Sequence, residues 1–333
     1  MSKKRIVIGF DGFLDMLAKP IAEKRDEGNL YFETIESFGT YLCGQAGKSC
    51  SVEMDVLARK VGGNAPLLSI AAESLSMDVC CVGMLGVPTL NPLFAALPFE
   101  LYSYLSPGES TALEFDDGKV FLAPGIPALE DPWAMVDAAM DKRAGDIFAQ
   151  ADVIALVNWS ELSFSHILWE KTLDALWLQP TNKDKYALFD LCDCSRKPPK
   201  EITAVLSLIG RFSERRHTIL SLNENECLDI GAKLFDQSDC GAIAKKLHEA
   251  YGIDEVLVHA HEWSLAVNDV EQCVQSTSFV KKPVISTGAG DHFNAAYAYG
   301  AATGIAISER LDFCHRFVNS YITSGKSGFE PNQ

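Results

Sequence analysis

Short runs of consecutive apolar residues alternate with stretches whose apolar positions recur every three or four residues. Such runs fill residues 6–10, 153–157 and 186–189 and dominate 217–222 and 255–258. A strand buried on both faces has this appearance, because neither face can carry polar side chains. The helical pattern occupies residues 165–178, 200–209, 225–234 and 242–251. Strand and helix in strict alternation predict a mostly parallel sheet with helices on both faces, joined by right-handed connections.

Three stretches break that rhythm. Residues 30–38 and 50–58 alternate polar and apolar side chains and read as half-buried antiparallel strands. Residues 110–122 read as a hairpin, with Asp117-Gly118 at the tight turn. Together the regions 28–61 and 110–122 predict a small antiparallel sheet standing off the main one, a lid. Such a sheet exposes edges and a face that a ligand or a second subunit must cover. Leu30, Phe32, Val52, Met54, Phe115 and Phe121 would form the apolar part of that face.

Composition narrows the picture. The chain has 333 residues, 47% of them hydrophobic and 22% charged, enough to bury a full core without staples. No linker or repeat divides it, so residues 1–333 are expected to form one α/β domain carrying the lid. The net charge of −16 argues against nucleic acid, whose binders need a basic face to displace counterions. It does not argue against phosphate ligands, which backbone amides and Mg²⁺ can hold. The start is basic, but the apolar run after it is too short for a signal sequence. With no membrane segment and ten scattered cysteines, a cytoplasmic protein with reduced thiols is expected. Cys192, Cys194, His259 and His261 lack the paired spacing of a zinc site.

The residues that suggest chemistry lie where strands end. Thr287-Gly-Ala-Gly-Asp291 turns directly into a helical stretch. Free amides at a helix start favour an anion. A carboxylate at the mouth of such a site would repel the anion, but it suits a base that takes a proton from an attacking hydroxyl. The local residues leave open a second role for Asp291, capping the helix. Gly62-Gly63-Asn64 precedes another helix and can place amides and a carboxamide around a polyol. Asp11 and Asp15 follow the first strand, at the edge where open α/β sheets bind ligands. Asn223 and Glu226, three residues apart after a strand, suit water-mediated Mg²⁺ or a simple N-cap.

In this order the segments resemble the ribokinase family of carbohydrate kinases, also called the PfkB family. The resemblance runs from the first strand through Gly62-Gly63-Asn64-Ala65, Asn223-Glu-Asn-Glu226 and Ser286-Thr-Gly-Ala-Gly-Asp291 to Phe317-Val-Asn-Ser320. It implies a ribokinase-like fold and ATP-dependent phosphorylation of a hydroxyl on a sugar, sugar derivative or nucleoside. By the same resemblance Asp291 is the base, and the amides of Gly288, Ala289 and Gly290 form an anion hole. Asp15, Gly62, Gly63 and Asn64, with Asp11 beside them, hold the acceptor. Asn223 and Glu226 organise Mg²⁺ through water, while His259 and Asn319 lie near the nucleotide. The lid is expected to make a homodimer.

The chain departs from the family pattern at several points. Leu67 stands where a further Asn is common, Ile285 where the signature usually opens with Asp, and His259-Ala-His261-Glu262 where a glycine-bearing turn is usual. Asp190 with the downstream Arg196 resembles a strand-end pair found in some branches. Gly44-Gln-Ala-Gly47-Lys48-Ser49 is not a P-loop, because the glycine required five residues before Gly47 is Leu42. The alternative to an enzyme is a sensor that binds a sugar or nucleotide on the same fold without turnover.

Overall fold

The computed structural model describes residues 3–329. Met1 and Ser2 of the basic start, like residues 330–333, lie outside them.

The chain begins with β1 (Arg5–Gly9), then enters the lid through β2 (Phe13–Glu23), β3 (Leu30–Tyr31), α1 (Ile35–Gly44) and β4 (Met54–Gly62). It returns to the main sheet through α2 (Asn64–Ser74), β5 (Asp78–Gly83), α3 (Pro92–Ala95) and β6 (Glu100–Ser103). The hairpin β7 (Gly108–Phe115) and β8 (Gly118–Leu122) completes the lid. Alternation then follows: α4 (Pro132–Ala139), α5 (Ala144–Gln150), β9 (Val153–Leu156), α6 (Ser165–Trp177), β10 (Tyr186–Asp190) and α7 (Pro199–Phe212). After these come β11 (His217–Asn223), α8 (Glu224–Phe235), α9 (Cys240–Tyr251) and β12 (Glu255–His259). The chain closes with β13 (Trp263–Val267), β14 (Gln272–Ser276), α10 (Ala289–Thr303) and α11 (Ile307–Ser324).

The main sheet has nine strands in the order β14-β13-β12-β11-β10-β9-β1-β5-β6. From β12 to β6 every pairing is parallel, and β13 and β14 add an antiparallel edge. The five strands predicted from apolar runs lie side by side at its centre. Each sheet face carries its own buried cluster, one around Trp169, Phe189 and Phe212, the other around Leu68, Phe293, Tyr297 and Phe317. The order reverses at β1, with β5 on one side and β9 on the other. A crevice opens at such a point, outside the carboxyl ends of the strands.

The lid sheet is antiparallel except for the β2–β7 pair, and β4 joins it along β2. Its details differ from the sequence expectation in three places. Residues 30–38 are not one strand: only Leu30 and Tyr31 pair, and α1 starts at Ile35. Thr34 caps that helix, accepting from the Ser37 amide, while the Ser37 hydroxyl accepts from the Thr34 amide. This capping box has Ser in place of the usual Glu or Gln. Phe32 and Phe38 then meet with ring centroids 5.2 Å apart, and Phe38 meets Phe115 at 5.5 Å, so α1 packs on the lid. The second predicted strand begins at Met54 rather than residue 50 and runs on to Gly62. The hairpin turn is Asp116-Asp117, one residue earlier than expected, with Phe115 paired to Gly118.

Candidate active site

Six polar side chains gather at the carboxyl ends of the parallel strands. Asp11 follows β1, Asn158 follows β9, Asp190 ends β10, Asn223 ends β11 and His259 ends β12. Asp291 comes from the opposite side, in the first turn of α10.

Asp11 has no exposed surface and is fully engaged. Its carboxylate accepts from the amides of Asn64 at 2.8 Å and Ala65 at 2.7 Å, and from Asn158 Nδ2 at 2.7 Å. It therefore fastens the first turn of α2 to the end of β1. Burial pushes its pKa up to about 6 in spite of these donors. Gly63, not Asn64, is the N-cap residue of α2, with φ at +88°. A Cβ there would lie 2.9 Å from Asp11 Oδ2, and one on Gly62 would lie 2.4 Å from the Asp15 carboxylate. Both glycines are required by close approach, and Gly63 also by its backbone.

Asp15 lies within β2 of the lid rather than at the end of the first strand. Ser110 Oγ on β7 donates to its Oδ1 at 2.6 Å. Asp15 sits under the Gly62 turn, on the lid side of the crevice.

Asp291 is only 6% exposed. The N-cap position of α10 belongs to Gly288, so Asp291 is not the capping residue. Asn64 Nδ2 donates to its Oδ1 at 3.1 Å. Burial raises its pKa well above the usual carboxylate range, and the neighbouring Asp190 and Asp11 add to the rise. The Gly288 carbonyl beside it accepts from His292 Nδ1 at 2.7 Å. A carbonyl only accepts, so Nδ1 carries the proton, and burial of His292 holds its pKa down near 4. Tyr321 Oη donates to the Thr287 carbonyl at 2.7 Å, which fixes the turn from the other side.

Behind Asp291 runs a chain of groups of which the sequence marked only Asp190. Asp190 Oδ2 accepts from Asn294 Nδ2 at 2.7 Å, and Asn294 Oδ1 accepts from Ser221 Oγ at 2.6 Å. Asp190 Oδ1 accepts from the Cys192 amide at 2.9 Å. Asn294 is three residues beyond Asp291 on α10, so this chain sets where the helix sits over β10 and β11. Arg196 does not join Asp190: it is exposed and pairs with Glu161 at 3.3 Å. A polar residue ending a buried strand is the signal that would have found Asn158.

Asn223 and Glu226 form a reciprocal capping box on α8, each side chain accepting the other's backbone amide at 2.9 Å. Each keeps oxygen lone pairs free for a further ligand. Burial and the nearby Asp190 push Glu226 up to about 8. Beyond Asn223 a cavity of about 510 Å³ opens, lined by His259, Ser286, Ala289, Gly290 and Asn319 among others. His259 stacks on Phe293 with ring centroids 4.9 Å apart, and burial lowers its pKa to about 4. Asn319, which lines the same cavity, donates its Nδ2 to Thr277 Oγ1 at 3.1 Å. The predicted residues thus divide into a lid-side set, Asp15, Gly62, Gly63 and Asn64, and a cleft-side set, Asn223, Glu226, His259 and Asn319. Asp291 stands between them.

The chain is similar to known proteins over nearly its whole length. A ketohexokinase of Haloferax volcanii is 23% identical over 331 residues, covering 96% of this chain and 87% of that protein. Among solved structures, the adenosine kinase of Sinorhizobium meliloti superposes with a TM-score of 0.69 at 16% identity, covering 99% of this chain and 96% of that one. An Arabidopsis thaliana ribokinase complexed with ribose and ATP gives 0.62 at 17% identity, covering 97% and 93%. Residues 1–330 match the family described as prokaryotic ketohexokinase. The chain belongs to that family, and so to the ribokinase-like carbohydrate kinases, phosphotransferases with an alcohol group as acceptor.

Proposed function

We propose that this protein transfers the γ-phosphoryl group of ATP to a hydroxyl of a ketohexose, with Asp291 as general base. The observation that carries the reading is the position of Asp291: buried, in the first turn of α10, where the lid-side and cleft-side sets meet. Asp15 and the Gly62–Asn64 turn bind the sugar hydroxyls. Asp11 acts by holding α2 in place rather than by touching the acceptor. The amides of Gly288 and Gly290 receive the migrating phosphoryl group, whereas the Ala289 amide, expected to join them, already donates to the Ser286 carbonyl at 3.2 Å. Asp291 takes the proton from the attacking hydroxyl, so it must be ionised when the acceptor is aligned. His259 and Asn319 line the space for the nucleotide.

The donor set suits Mg²⁺. Asn223, Glu226 and Asp190 offer oxygen ligands only, and among the described residues no three His, Cys, Asp or Glu side chains gather closely enough to hold a metal ion alone. A cation that keeps its waters and uses phosphate oxygens fits such a place. When bound, it supplies positive charge beside the transferring group.

ATP turnover against a panel of ketohexoses, aldoses, sugar acids and nucleosides tests the reading. A ketohexose is expected to give the highest kcat/KM, and a nucleoside as the preferred acceptor would overturn the substrate assignment. Within the same assay, Asp15→Ala is expected to raise the acceptor KM at least about tenfold, the scale of a lost charge-assisted hydrogen bond. Its affinity for ATP should stay unchanged. Equal weakening of both ligands in calorimetry would make Asp15 a structural residue.

The lid is the surface for a second copy of this chain. Val56 and Leu57 are 50% and 51% exposed on β4 where its register against β2 shifts, so two adjacent apolar side chains are uncovered at that bulge. Met54, Phe121 and Leu122 extend the exposed set. A two-fold pairing of lids covers them in a closed assembly. Light scattering at micromolar concentration should give twice the monomer mass, and Val56→Lys should return it to the monomer. A monomeric parent protein would remove the proposal.

A further inference from the structure

At the opposite edge of the main sheet, the segments entering β9, β10 and β11 enclose a second cavity of about 280 Å³. Lys185, Arg215 and Arg216 line it, with the side-chain amides of Gln150, Gln179 and Asn182. No carboxylate lines it. Among the described residues, none of the three cations has a carboxylate within 4.0 Å. In a chain of net charge −16, three cations left together without ion pairs need a reason.

Helix capping accounts for part of it. Arg216 is 3% exposed and donates to the carbonyls of Phe148, Ala149 and Ala151 at 2.8 to 3.1 Å. Lys185 Nζ donates to the carbonyls of Ala149 and Gln150 at 3.2 and 2.8 Å. These carbonyls end α5, where the dipole supplies roughly half a negative charge. Half a charge does not neutralise two. The nearest acid felt by both is Asp152, and it is already engaged by the Arg5 amide at 2.8 Å and by Lys4 at 3.9 Å. Arg215 adds a third charge. Its guanidinium lies 4.5 Å from the centre of the Trp177 ring and gives Nη2 to the Gln179 carbonyl. Its Nε is buried without an acceptor. A proton of Lys185 and the free N–H groups of Arg215 therefore remain beside a concave, cationic space.

We propose that this cavity binds a small phosphorylated molecule, a phosphate monoester no larger than a sugar phosphate, at Lys185 and Arg215 in the field of Arg216. A phosphate dianion matches the surplus charge and the fork of an arginine. The volume is just below the usual range for ligand pockets and suits a small ligand. The inference is independent of the kinase reading.

Calorimetric titration of the full chain at constant ionic strength tests it, with inorganic phosphate, a hexose monophosphate and malonate as probes. Arg215→Gln removes a donor. Asn182→Asp places a carboxylate in the cavity while keeping the oxygen that accepts the Asp184 amide at 2.9 Å, so it decides the question should the arginine variant not fold. Saturable binding of both phosphate probes is expected, weakened at least about tenfold by either variant. Turnover at saturating substrates should be unchanged by the variants. Phosphate binding that survives Asn182→Asp would locate the anion in the active site and overturn the proposal. No binding below about 10 mM would do the same. Equal affinity for malonate would overturn the assignment to phosphate.

Discussion

Asp291→Asn is expected to lower kcat by about 10² to 10⁴ while leaving the fold and nucleotide affinity intact. The substitution is nearly isosteric, and the Asn Oδ1 can still accept from Asn64 Nδ2, now 3.1 Å from the carboxylate. What it loses is the ability to take a proton. The pH profile carries the sharper signature. A base works only when ionised, and burial together with Asp190 and Asp11 raises the pKa of Asp291 well above that of a free carboxylate. Turnover of the parent protein should therefore climb with pH beyond the range in which ordinary carboxylates have already ionised. The residual rate of the variant should lack that climb. Turnover within a few-fold of the parent would remove Asp291 from the role of base, and loss of the folded state would mean that its main task is to support α10.

The second large effect is expected on stability. Asp11→Ala leaves the amides of Asn64 and Ala65 and the side-chain amide of Asn158 without an acceptor, all three within 2.8 Å of the present carboxylate. Each buried donor left unpaired costs about 1–3 kcal/mol, so a total near 3–5 kcal/mol is expected after partial relaxation. Asp11→Asn keeps one acceptor oxygen but turns an NH₂ group toward donors, and should fall between the two proteins. Urea unfolding measures this directly. A loss under about 1 kcal/mol for the alanine variant would show that the end of β1 and α2 are held by packing alone.

The parallel strands were legible because burial on both faces writes a short, mostly apolar run that stops at polar or turn residues, although Ala295 to Ala302 is just as apolar inside α10. The lid was harder. Ile35 to Gly44 has the spacing of a helix at Ile35, Phe38 and Tyr41, but Phe32 and Glu33 before it continue an apparent alternation. The Thr34 cap uses Ser37, which is not the usual partner. The strand β2 was hidden for another reason: Asp15, Lys19 and Pro20 interrupt the alternation along its length, and Pro20 is uncommon inside a strand. In the site, residues announced by glycines or by paired carboxylates could be found. Ser221 and Asn294 could not, because each is a single polar residue on an element, and only the fold shows that Ser221 donates to Asn294 and Asn294 to Asp190.

Everything proposed to hold the acceptor precedes residue 65, from Asp15 on β2 through Gly62 to Asn64. Everything proposed for the nucleotide and its cation follows residue 189, from Asp190 and Asn223 through His259 to Asn319. The two halves of the chemistry are written in separate parts of the chain and meet where α2 packs on α10, with Asn64 hydrogen-bonded to Asp291. Such an arrangement lets the choice of sugar drift by changes confined to the first third of the sequence. The donor side is inherited intact, and a swap of the lid segment with that of a relative exchanges one recognition surface without rewriting the other.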